Sequence, residues 1–453
     1  MVDVRTTPGL LAVTGRLREA GYQAVAVGGA VRDALAGHSP PSGGDADWDV
    51  ATDARPDVVR EAFPQTDPVG IEHGTIAVRI AGERIEVTTF RADVATDGRH
   101  ATVQFGVSLE EDLARRDFTI NAIAWDPHDG TLVDPFGGRK DLAARRLRTV
   151  GDPDRRLPED FLRILRACRF AARFDLTYDP DTAAALARHA AGVTRLSGER
   201  VRVELLKTLR QCRHASRALT DWQVFGVMPR LLPEVAIGFG VEQNAWHADD
   251  VGTHALLVVD QVHPRRPFLR MVALFHDVGK PPTRERHPKT GDWTFPRHDE
   301  VGARLTAQAL TRLRCSTREI ARATHLVRVH MDLFPPEASD AAVRRWIRRV
   351  GEDHIGDLCR LHLADWRGNR RREGPPDTLV AMYRRVRAVL CAQHALSLND
   401  LAVGGEDLIA LGLTPGPGFR AILQSLLERV VEDPALNTKE RLLELVRRET
   451  IAA

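Results

Sequence analysis

Long hydrophobic runs are absent from this 453-residue chain, in which no apolar stretch reaches the length of about 18 residues that a membrane-spanning helix requires. The N-terminal sequence MVDVRTTPG also lacks the basic segment followed by an apolar run that marks a secretion signal. Together the two absences predict a cytoplasmic protein that has no membrane partner.

Cysteines are scarce as well, and no two of them form a C-x-x-C pair. An odd number of widely separated cysteines argues against a disulfide framework or a zinc knuckle, and predicts reduced thiols that are mostly buried. The five positions are Cys168, Cys212, Cys315, Cys359 and Cys391.

An excess of charge of one sign is also lacking, because the net charge of +2 gives no global indication of a nucleic-acid binder. Arginine nevertheless clusters in RRWIRR, which begins at Arg344, and in RGNRRRE, which begins at Arg367. Such clusters are typical of solvated helix faces, but they also fit contacts to RNA phosphates.

The length of the chain and its patterning predict several domains. Residues 1 to about 150 alternate short apolar runs with turn signals, and IAVRI and ERIEVTTF have the pattern of two hairpin strands. Beyond residue 150 the pattern is helical. We therefore expect an α/β head followed by helical domains.

Two aspartates one residue apart, Asp47 and Asp49, lie in the run DADWDVAT. On a short strand both carboxylates would point to one face, where they could share divalent metal ions. Glu86 shares a face of the second hairpin strand with Arg84 and Thr88, so it is either a third carboxylate of this site or an edge-strand glutamate without that role. By itself a D-x-D pair is more often a pair of solvated charges.

The sequence before the aspartates strengthens the metal hypothesis. Residues 23–27 are predicted to form a buried strand, and Gly28-Gly29 a tight turn into a helix that begins near Ala30. Backbone N–H groups at such a turn can bind triphosphate oxygens, and Arg32 can add a bidentate charge.

Five motifs occur in order between residues 28 and 170. They are GGAVRD, DWD with ATDARP behind it, RRDFTINAIA from Arg115, DPFGG from Asp134, and LPEDFLRILRACRF from Leu157. In this combination the sequence resembles the class II tRNA nucleotidyltransferases, a family of CCA-adding, CC-adding and A-adding enzymes and bacterial poly(A) polymerases.

The resemblance implies an α+β protein with four parts. An N-terminal nucleotidyltransferase head of the polymerase-β-like kind would occupy residues 1–150, and a helical neck with the nucleobase-selecting helix residues 151–225. An HD-type helical body would follow over residues 226–385, and a helical tail over residues 386–453.

The implied activity is template-independent addition of CCA, or of its C or A part, to tRNA 3′ ends from CTP and ATP. Asp47, Asp49 and Glu86 would be the catalytic carboxylates, and Asp47 and Asp49 would bind two magnesium ions. The primer hydroxyl would attack the α-phosphate in line and release pyrophosphate. The partners are accordingly tRNA, CTP and ATP, whereas the oligomeric state stays open.

The family's base-selecting pair corresponds to Asp160 and Arg163, which would share one face of a helix. A carboxylate accepts from the exocyclic amine of both cytosine and adenine, and a guanidinium donates to their acceptors. Without the resemblance, such a pair is ordinarily a surface ion pair. The implied nucleotide-binding residues are Gly28, Gly29, Arg32, Asp33, Arg116, Asp117, Asn121, Asp160, Arg163, Arg166 and Arg169.

Two neighbouring segments add expectations of their own. Asp117 could instead cap or brace the helix after it, and Glu199 and Arg200, which match the family's neck motif, are expected to have a bracing role. Residues 93–108 have no clear period and are predicted to form a mobile loop, which in the family helps to switch from C to A addition. Ala101 stands where the family usually has proline, so full CCA, A-only and CC-only addition all stay open.

Histidines and acids also recur farther along, in THALLVVD, HDVGKPPT, PRHDEVGA, LVRVHM and LADWRGN. Imidazoles and carboxylates can enclose one or two transition metals, and these contexts resemble the HD phosphohydrolase module. The alternative function that the resemblance implies is metal-dependent hydrolysis of phosphoesters, whereas some modules of this kind only bind metal and others are structural. The implied ligands are His254, His276, Asp277, His298, His330 and Asp365.

Overall fold

The computed structural model describes residues 6–37, 48–68, 74–96, 101–392 and 395–452. Strands are concentrated in the N-terminal part and helices dominate the rest, so the predicted α+β class is confirmed. The chain forms two compact units: the first comprises Met1–Ala236 with Arg312–Arg314, and the second Ile237–Thr311 with Cys315–Ala453. The four-part division stays a prediction. Among the described residues, no helix is both long and apolar enough to cross a membrane.

The first unit contains eleven strands and twelve helices among its described residues. The strands are β1 Ala24–Val27, β2 Asp49–Thr52, β3 Thr66–Asp67, β4 Thr75–Ile80, β5 Glu83–Thr89, β6 Arg91–Thr96, β7 Ala101–Phe105, β8 Ala124–Trp125, β9 Leu132–Val133, β10 Arg146–Leu147 and β11 Thr177–Tyr178. The helices are α1 Pro8–Glu19, α2 Gly29–Leu35, α3 Pro56–Ala62, α4 Leu109–Ala114, α5 Gly138–Ala143, α6 Pro153–Glu159, α7 Leu162–Phe174, α8 Pro180–His189, α9 Gly198–Gln211, α10 Ala215–Val224, α11 Met228–Leu231 and α12 Pro233–Ala236.

Seven of the strands form one sheet in the order β3-β4-β5-β2-β1-β8-β9. Only β2 and β5 run parallel, while the other neighbours are antiparallel. Both faces of β1 are covered, because Ala24 and Ala26 pack into one apolar core and Val25 and Val27 into another. The predicted buried strand, the helix that follows it and the β4–β5 hairpin are all confirmed.

The predicted loop at residues 93–108 is wrong over most of its length, because β6 and β7 pair there as an antiparallel hairpin. Arg91 lies opposite Phe105, and the register shifts by one position between Asp93 and Ala95. Polar residues form strands when backbone hydrogen bonds supply the pairing, and the absence of an apolar period does not exclude this.

Within its described residues, the second unit contains a single strand pair, the small hairpin of β12 Glu285–Arg286 with β13 Trp293–Thr294, and its other elements are helices. This hairpin and the β10–β11 pair are exceptions to the predicted run of helices. The helices are α13 Val251–Gln261, α14 Pro267–Phe275, α15 His298–Arg312, α16 Thr317–Val329, α17 Asp340–Val350, α18 Glu352–Gly368, α19 Asp377–Cys391, α20 Gly405–Ala410, α21 Gly418–Glu432 and α22 Lys439–Ala452.

None of the five cysteines forms a disulfide, as predicted. The expectation that most of them are buried is wrong, because only Cys168 and Cys212 are buried. Cys315 and Cys359 are half-buried, and Cys391 is exposed.

The arginine cluster on α17 contacts protein groups within the second unit. Arg344 is buried and donates to the carbonyl oxygens of Val431 (2.6 Å) and Glu432 (3.1 Å) at the end of α21. Arg348 pairs with Glu428 at 3.0 Å. The last carbonyls of a helix have no partner within the helix, so Arg344 supplies donors that α21 needs. Arg344 and Arg348 are therefore held by protein groups, while contact of the cluster with RNA stays a prediction.

Replacing Arg344 with methionine is expected to lower the free energy of unfolding of the second unit by about 2 kcal/mol, because the buried carbonyls lose their donors. Arg345, which pairs with Glu432 at the surface, is the matched control, and Arg345→Met should change stability by less than about 0.5 kcal/mol. Urea denaturation measures both values. Equal effects of the two substitutions would contradict the capping role.

Candidate active site

A cavity of about 490 Å³ opens beside β2 and α7 in the first unit. Eleven of the sequence-predicted residues line it together. They are Gly28, Gly29, Arg32, Asp49, Arg116, Asp117, Asn121, Asp160, Arg163, Arg166 and Arg169.

One end of the cavity is formed by the glycine turn and the start of β2. Gly28 has φ of 76°, and a Cβ at that position would lie 3.1 Å from Asp49 Oδ2. A side chain there would therefore strain the backbone and crowd the carboxylate. Glycine allows the turn to approach Asp49 closely, as a phosphate site requires.

The carboxylates of the D-x-D motif can be placed only in part. Asp49 begins β2, directly opposite Glu86 on the parallel neighbour β5, whereas Asp47 lies outside the described residues. Because β5 lies between β4 and β2, the edge-strand interpretation of Glu86 is wrong. Glu86 does not line the cavity, and its Oε1 accepts from Arg84 at 2.8 Å.

Arg32 is buried between two aromatic rings, with its guanidinium carbon 4.8 Å from the ring centre of Phe170 and 4.6 Å from that of Phe174. It pairs with Asp33 at 2.6 Å and donates to Asn121 Oδ1. Burial lowers the pKa of Arg32 from its ordinary value to about 10, so it remains cationic at neutral pH. Asp33 does not line the cavity, but it orients Arg32.

Asp117 connects the head to α7. Its Oδ1 accepts from Asn121 Nδ2 at 2.8 Å and from the Phe118 N–H at 2.9 Å, and its Oδ2 accepts from Arg166 Nε at 2.7 Å. Burial favours the neutral acid, but the charge of Arg166 and the Asn121 hydrogen bond outweigh it and hold the pKa at about 2. The bracing role foreseen for Asp117 therefore matches its contacts.

The expectation that Asp160 and Arg163 lie on one helix is wrong, because Asp160 has extended backbone between α6 and α7. Its Oδ1 accepts from the Leu162 N–H at 3.0 Å, and its Oδ2 accepts from Arg200 at 2.8 Å. Aspartate side chains often bond to nearby N–H groups at the start of a helix rather than continue a helix themselves. Arg163 donates to the Arg115 carbonyl at 3.0 Å.

Helix α9 supports this wall of the cavity from behind. Arg200 contacts Asp160, Glu204 pairs with buried Arg169 at 2.5 Å, and Gln211 Oε1 accepts from Arg169 at 3.0 Å and from Arg173 at 3.2 Å. The predicted bracing role of Arg200 agrees with its contact to Asp160.

Sequence reasoning missed six residues of the cavity wall. The α9 members could have been found from their helical spacing after Arg200, because residues four, seven and eleven positions apart share a face. The missed residues are Arg115, Leu162, Phe170, Arg173, Lys207 and Gln211.

In the second unit, all six of the predicted HD residues come together. Two groups have ligand atoms within 4.8 Å of one another: His254, His276 and Asp365 in one, and Asp277, His298 and His330 in the other. Asp277, a member of the second group, also contacts His276 of the first group. Its Oδ2 is 3.2 Å from His276 Nε2, and its Oδ1 is 3.5 Å from His330 Nε2.

Three histidines of the cluster share one orientation. His276, His298 and His330 each direct Nδ1 to the carbonyl three residues earlier, at distances of 2.7, 2.8 and 2.5 Å. An N–H donated from Nδ1 leaves a lone pair on Nε2, and all three Nε2 atoms are buried without a hydrogen-bond partner among the described residues. Histidines that bind metals typically donate a hydrogen bond from the ring nitrogen that does not bind the metal.

A cavity of about 370 Å³ adjoins the cluster. Lys280 lines it, pairs with Asp277 at 2.6 Å and donates to Gln243. Trp366 and Leu333 supply apolar wall. The site therefore combines metal-ligand geometry, a positive charge and apolar surface.

The low pKa of Asp117 makes a prediction about acid stability. A carboxyl with a folded-state pKa of about 2 and an ordinary value of 3.8 stabilises the fold above pH 3.8, and the effect is lost as the pH falls through 2. The free energy of unfolding of the wild type should exceed that of Asp117→Asn at pH 6. This gap should shrink by about 2 kcal/mol as the pH falls from 6 to 2. Urea titrations across this range measure the gap, and a constant gap would contradict the prediction.

Three family descriptions match the sequence. They are "Poly A polymerase head domain" over residues 24–148, "Probable RNA and SrmB- binding site of polymerase A" over residues 175–237, and "tRNA nucleotidyltransferase domain 2 putative" over residues 306–446. They cover most of the head, the region around α9 and most of the chain beyond residue 306.

Two relatives extend over almost the whole chain. The A-adding tRNA nucleotidyltransferase of Deinococcus radiodurans is 38% identical over 89% of this chain and 91% of its own length. The CCA-adding enzyme of Geobacillus stearothermophilus is 34% identical over 95% of this chain and 94% of its own length.

A solved structure also corresponds to the whole fold. The Bacillus stearothermophilus CCA-adding enzyme in complex with CTP has a TM-score of 0.71 and 29% identity, and the match covers 99% of this chain and 100% of that one. The chain therefore belongs to the family of tRNA nucleotidyltransferases that includes the A-adding and CCA-adding enzymes.

Proposed function

We propose that the protein adds the CCA sequence to tRNA 3′ ends, taking CTP and ATP as substrates and releasing pyrophosphate. The observation that carries this proposal is the single cavity that joins the glycine turn, Asp49 and the Asp160–Arg163 segment. Relatives named as CCA-adding enzymes over nearly their full length support it.

Each part of the cavity has a task in the proposed reaction. The Gly28-Gly29 turn and Arg32 hold the triphosphate, since backbone N–H groups and a buried guanidinium are suited to phosphate oxygens. Asp160 accepts from the exocyclic amine of cytosine or adenine, and Arg163 donates to the same base. A uracil or guanine would leave one of these groups mismatched.

Carboxylate oxygens are the ligands that magnesium prefers, and Asp47 and Asp49 would hold it. Asp49 fits this role, because Gly28 leaves room at Oδ2 for ion and phosphate. Glu86 lies beside Asp49 in the sheet and would contribute negative charge. When bound, magnesium supplies charge stabilisation to the reacting phosphate and to the pyrophosphate that leaves.

Addition can be tested with three tRNA transcripts, which lack CCA, end in CC or end in CCA. With magnesium, CTP and ATP, the wild type should complete the first two transcripts and leave the third unchanged. Asp49→Asn should reduce the rate more than about 1,000-fold, because a charged ligand at the reacting phosphate is lost. Gel analysis of the extended transcripts measures each rate.

The matched control is Asp57→Asn, which changes an exposed aspartate on α3 and should keep wild-type rates. If the wild type extends none of the transcripts, the proposal is wrong. An Asp49→Asn variant that retains full activity would reject the proposed catalytic carboxylate.

A second candidate is an enzyme that adds only the terminal A. The A-adding relative from Deinococcus radiodurans, 38% identical over most of both chains, favours this candidate. The same transcripts decide between the two, because an A-adding enzyme extends only the transcript that ends in CC.

We further propose that the second unit binds one or two transition metal ions through His254, His276, Asp277, His298, His330 and Asp365. Three buried Nε2 atoms that lack a hydrogen-bond partner among the described residues and converge on the Asp277 carboxylate support this assignment, since neutral imidazoles and carboxylates suit such ions. A bound ion would supply an activated water for phosphoester hydrolysis. In that reaction Lys280 would neutralise a phosphate.

Metal analysis tests this second site. The purified wild type should contain a transition metal, and His276→Ala should reduce it to a trace because a buried ligand is removed. His263→Ala, which changes an exposed histidine outside the cluster, is the control and should retain the metal. Hydrolysis of bis-p-nitrophenyl phosphate without added nucleotide should follow metal content and be unaffected by Asp49→Asn. Equal metal content in all variants would contradict the site.

A further inference from the structure

The side chains of α9 that face α7 lie on one helical stripe. Arg200, Glu204, Lys207 and Gln211 are spaced by four, three and four positions, a spacing that keeps residues on one face. Three of these four side chains, those of Arg200, Glu204 and Gln211, form hydrogen bonds or ion pairs with residues of the cavity wall. Lys207 also lines the cavity, but its task is not explained by a contact within the protein.

The charges of the cavity wall are unequal, with eight cationic and three acidic side chains among the lining residues. All seven arginines lie within 3.2 Å of a carboxylate, either in the wall or just behind it. Most of the positive charge in the wall is therefore engaged in pairs that hold it in place.

Lys207 is the exception. It is exposed to solvent at the cavity, and no carboxylate forms an ion pair with it within the parts of the chain that the structure describes. An ammonium without a protein partner can bind an anion without first breaking an ion pair. Its flexible stem suits phosphate, which lysine binds as a point charge.

We propose that Lys207 is a phosphate-binding residue of the nucleotidyl-transfer site. The proposal rests on the function proposed above and adds a residue to it. Its ligand is a phosphate group, supplied either by the terminal phosphate of the bound nucleotide or by the backbone of the tRNA end. Both are anions that must enter this cavity for the reaction to occur.

Binding measurements on two variants test the proposal without turnover. Lys207→Met removes the charge and keeps an unbranched side chain that favours helix, while Lys207→Arg keeps the charge. Arg210→Met is the matched control, because Arg210 is exposed on the same helix but does not line the cavity. A charged hydrogen bond at an exposed position corresponds to an affinity change of about tenfold.

Two titrations separate the sources of the phosphate. If the nucleotide supplies it, Lys207→Met weakens CTP binding about tenfold and leaves CMP binding unchanged. If the tRNA end supplies it, Lys207→Met weakens binding of the transcript that ends in CC, and the slope of log affinity against log salt falls by about one. In either case Lys207→Arg should restore most of the affinity, and in activity assays KM should rise while kcat stays near the wild-type value.

The proposal is overturned if Lys207→Met binds CTP and tRNA as well as Arg210→Met does. It is also overturned if Lys207→Arg loses as much affinity as Lys207→Met, since charge would then not be the property that matters. The proposed function fails separately, through a wild type that neither binds CTP nor extends tRNA.

Discussion

The cavity of the first unit depends on buried arginines that are held by carboxylates. Arg32 lies between two phenylalanine rings and pairs with Asp33, and Glu204 holds Arg169. A buried charge without a partner would cost on the order of several kcal/mol of folding free energy. The pairs therefore allow a strongly positive wall to exist before any nucleotide arrives. Because the side chains of the wall are already held in position, little free energy is lost to their reorganisation when phosphate binds.

Much of this site could be predicted from the sequence, because motif spacing and strand alternation report on local backbone geometry. The strand before Gly28, the turn and the β4–β5 hairpin follow from short apolar runs and glycines. The prediction that Asp160 lies within the helix is wrong because its three-residue separation from Arg163 is the same whether it lies in the helix or just before it. Sequence spacing alone cannot distinguish the two positions. The spacing from Arg200 places Lys207 on the same face of α9, but its position in the cavity wall depends on how α9 packs against α7, which no local pattern records.

The residues of the histidine cluster could be predicted from the sequence, but their tautomers could not. Its six residues could be predicted from residue type and context, although they are spread over more than one hundred positions. Their tautomers could not, because the anchoring carbonyls of Ala273 and Val327 lie in the last turns of α14 and α16 and that of Phe295 lies just before α15, and only the fold defines this geometry. Those carbonyls turn scattered histidines into a set of converging lone pairs.

The most direct test of this account is a crystal structure of the protein with CTP and magnesium. The account predicts triphosphate oxygens at the Gly28-Gly29 turn and Arg32, magnesium at the D-x-D carboxylates, and the cytosine amine within hydrogen-bond distance of Asp160. A nucleotide bound elsewhere, or a cytosine that turns its amine away from Asp160 and Arg163, would contradict it.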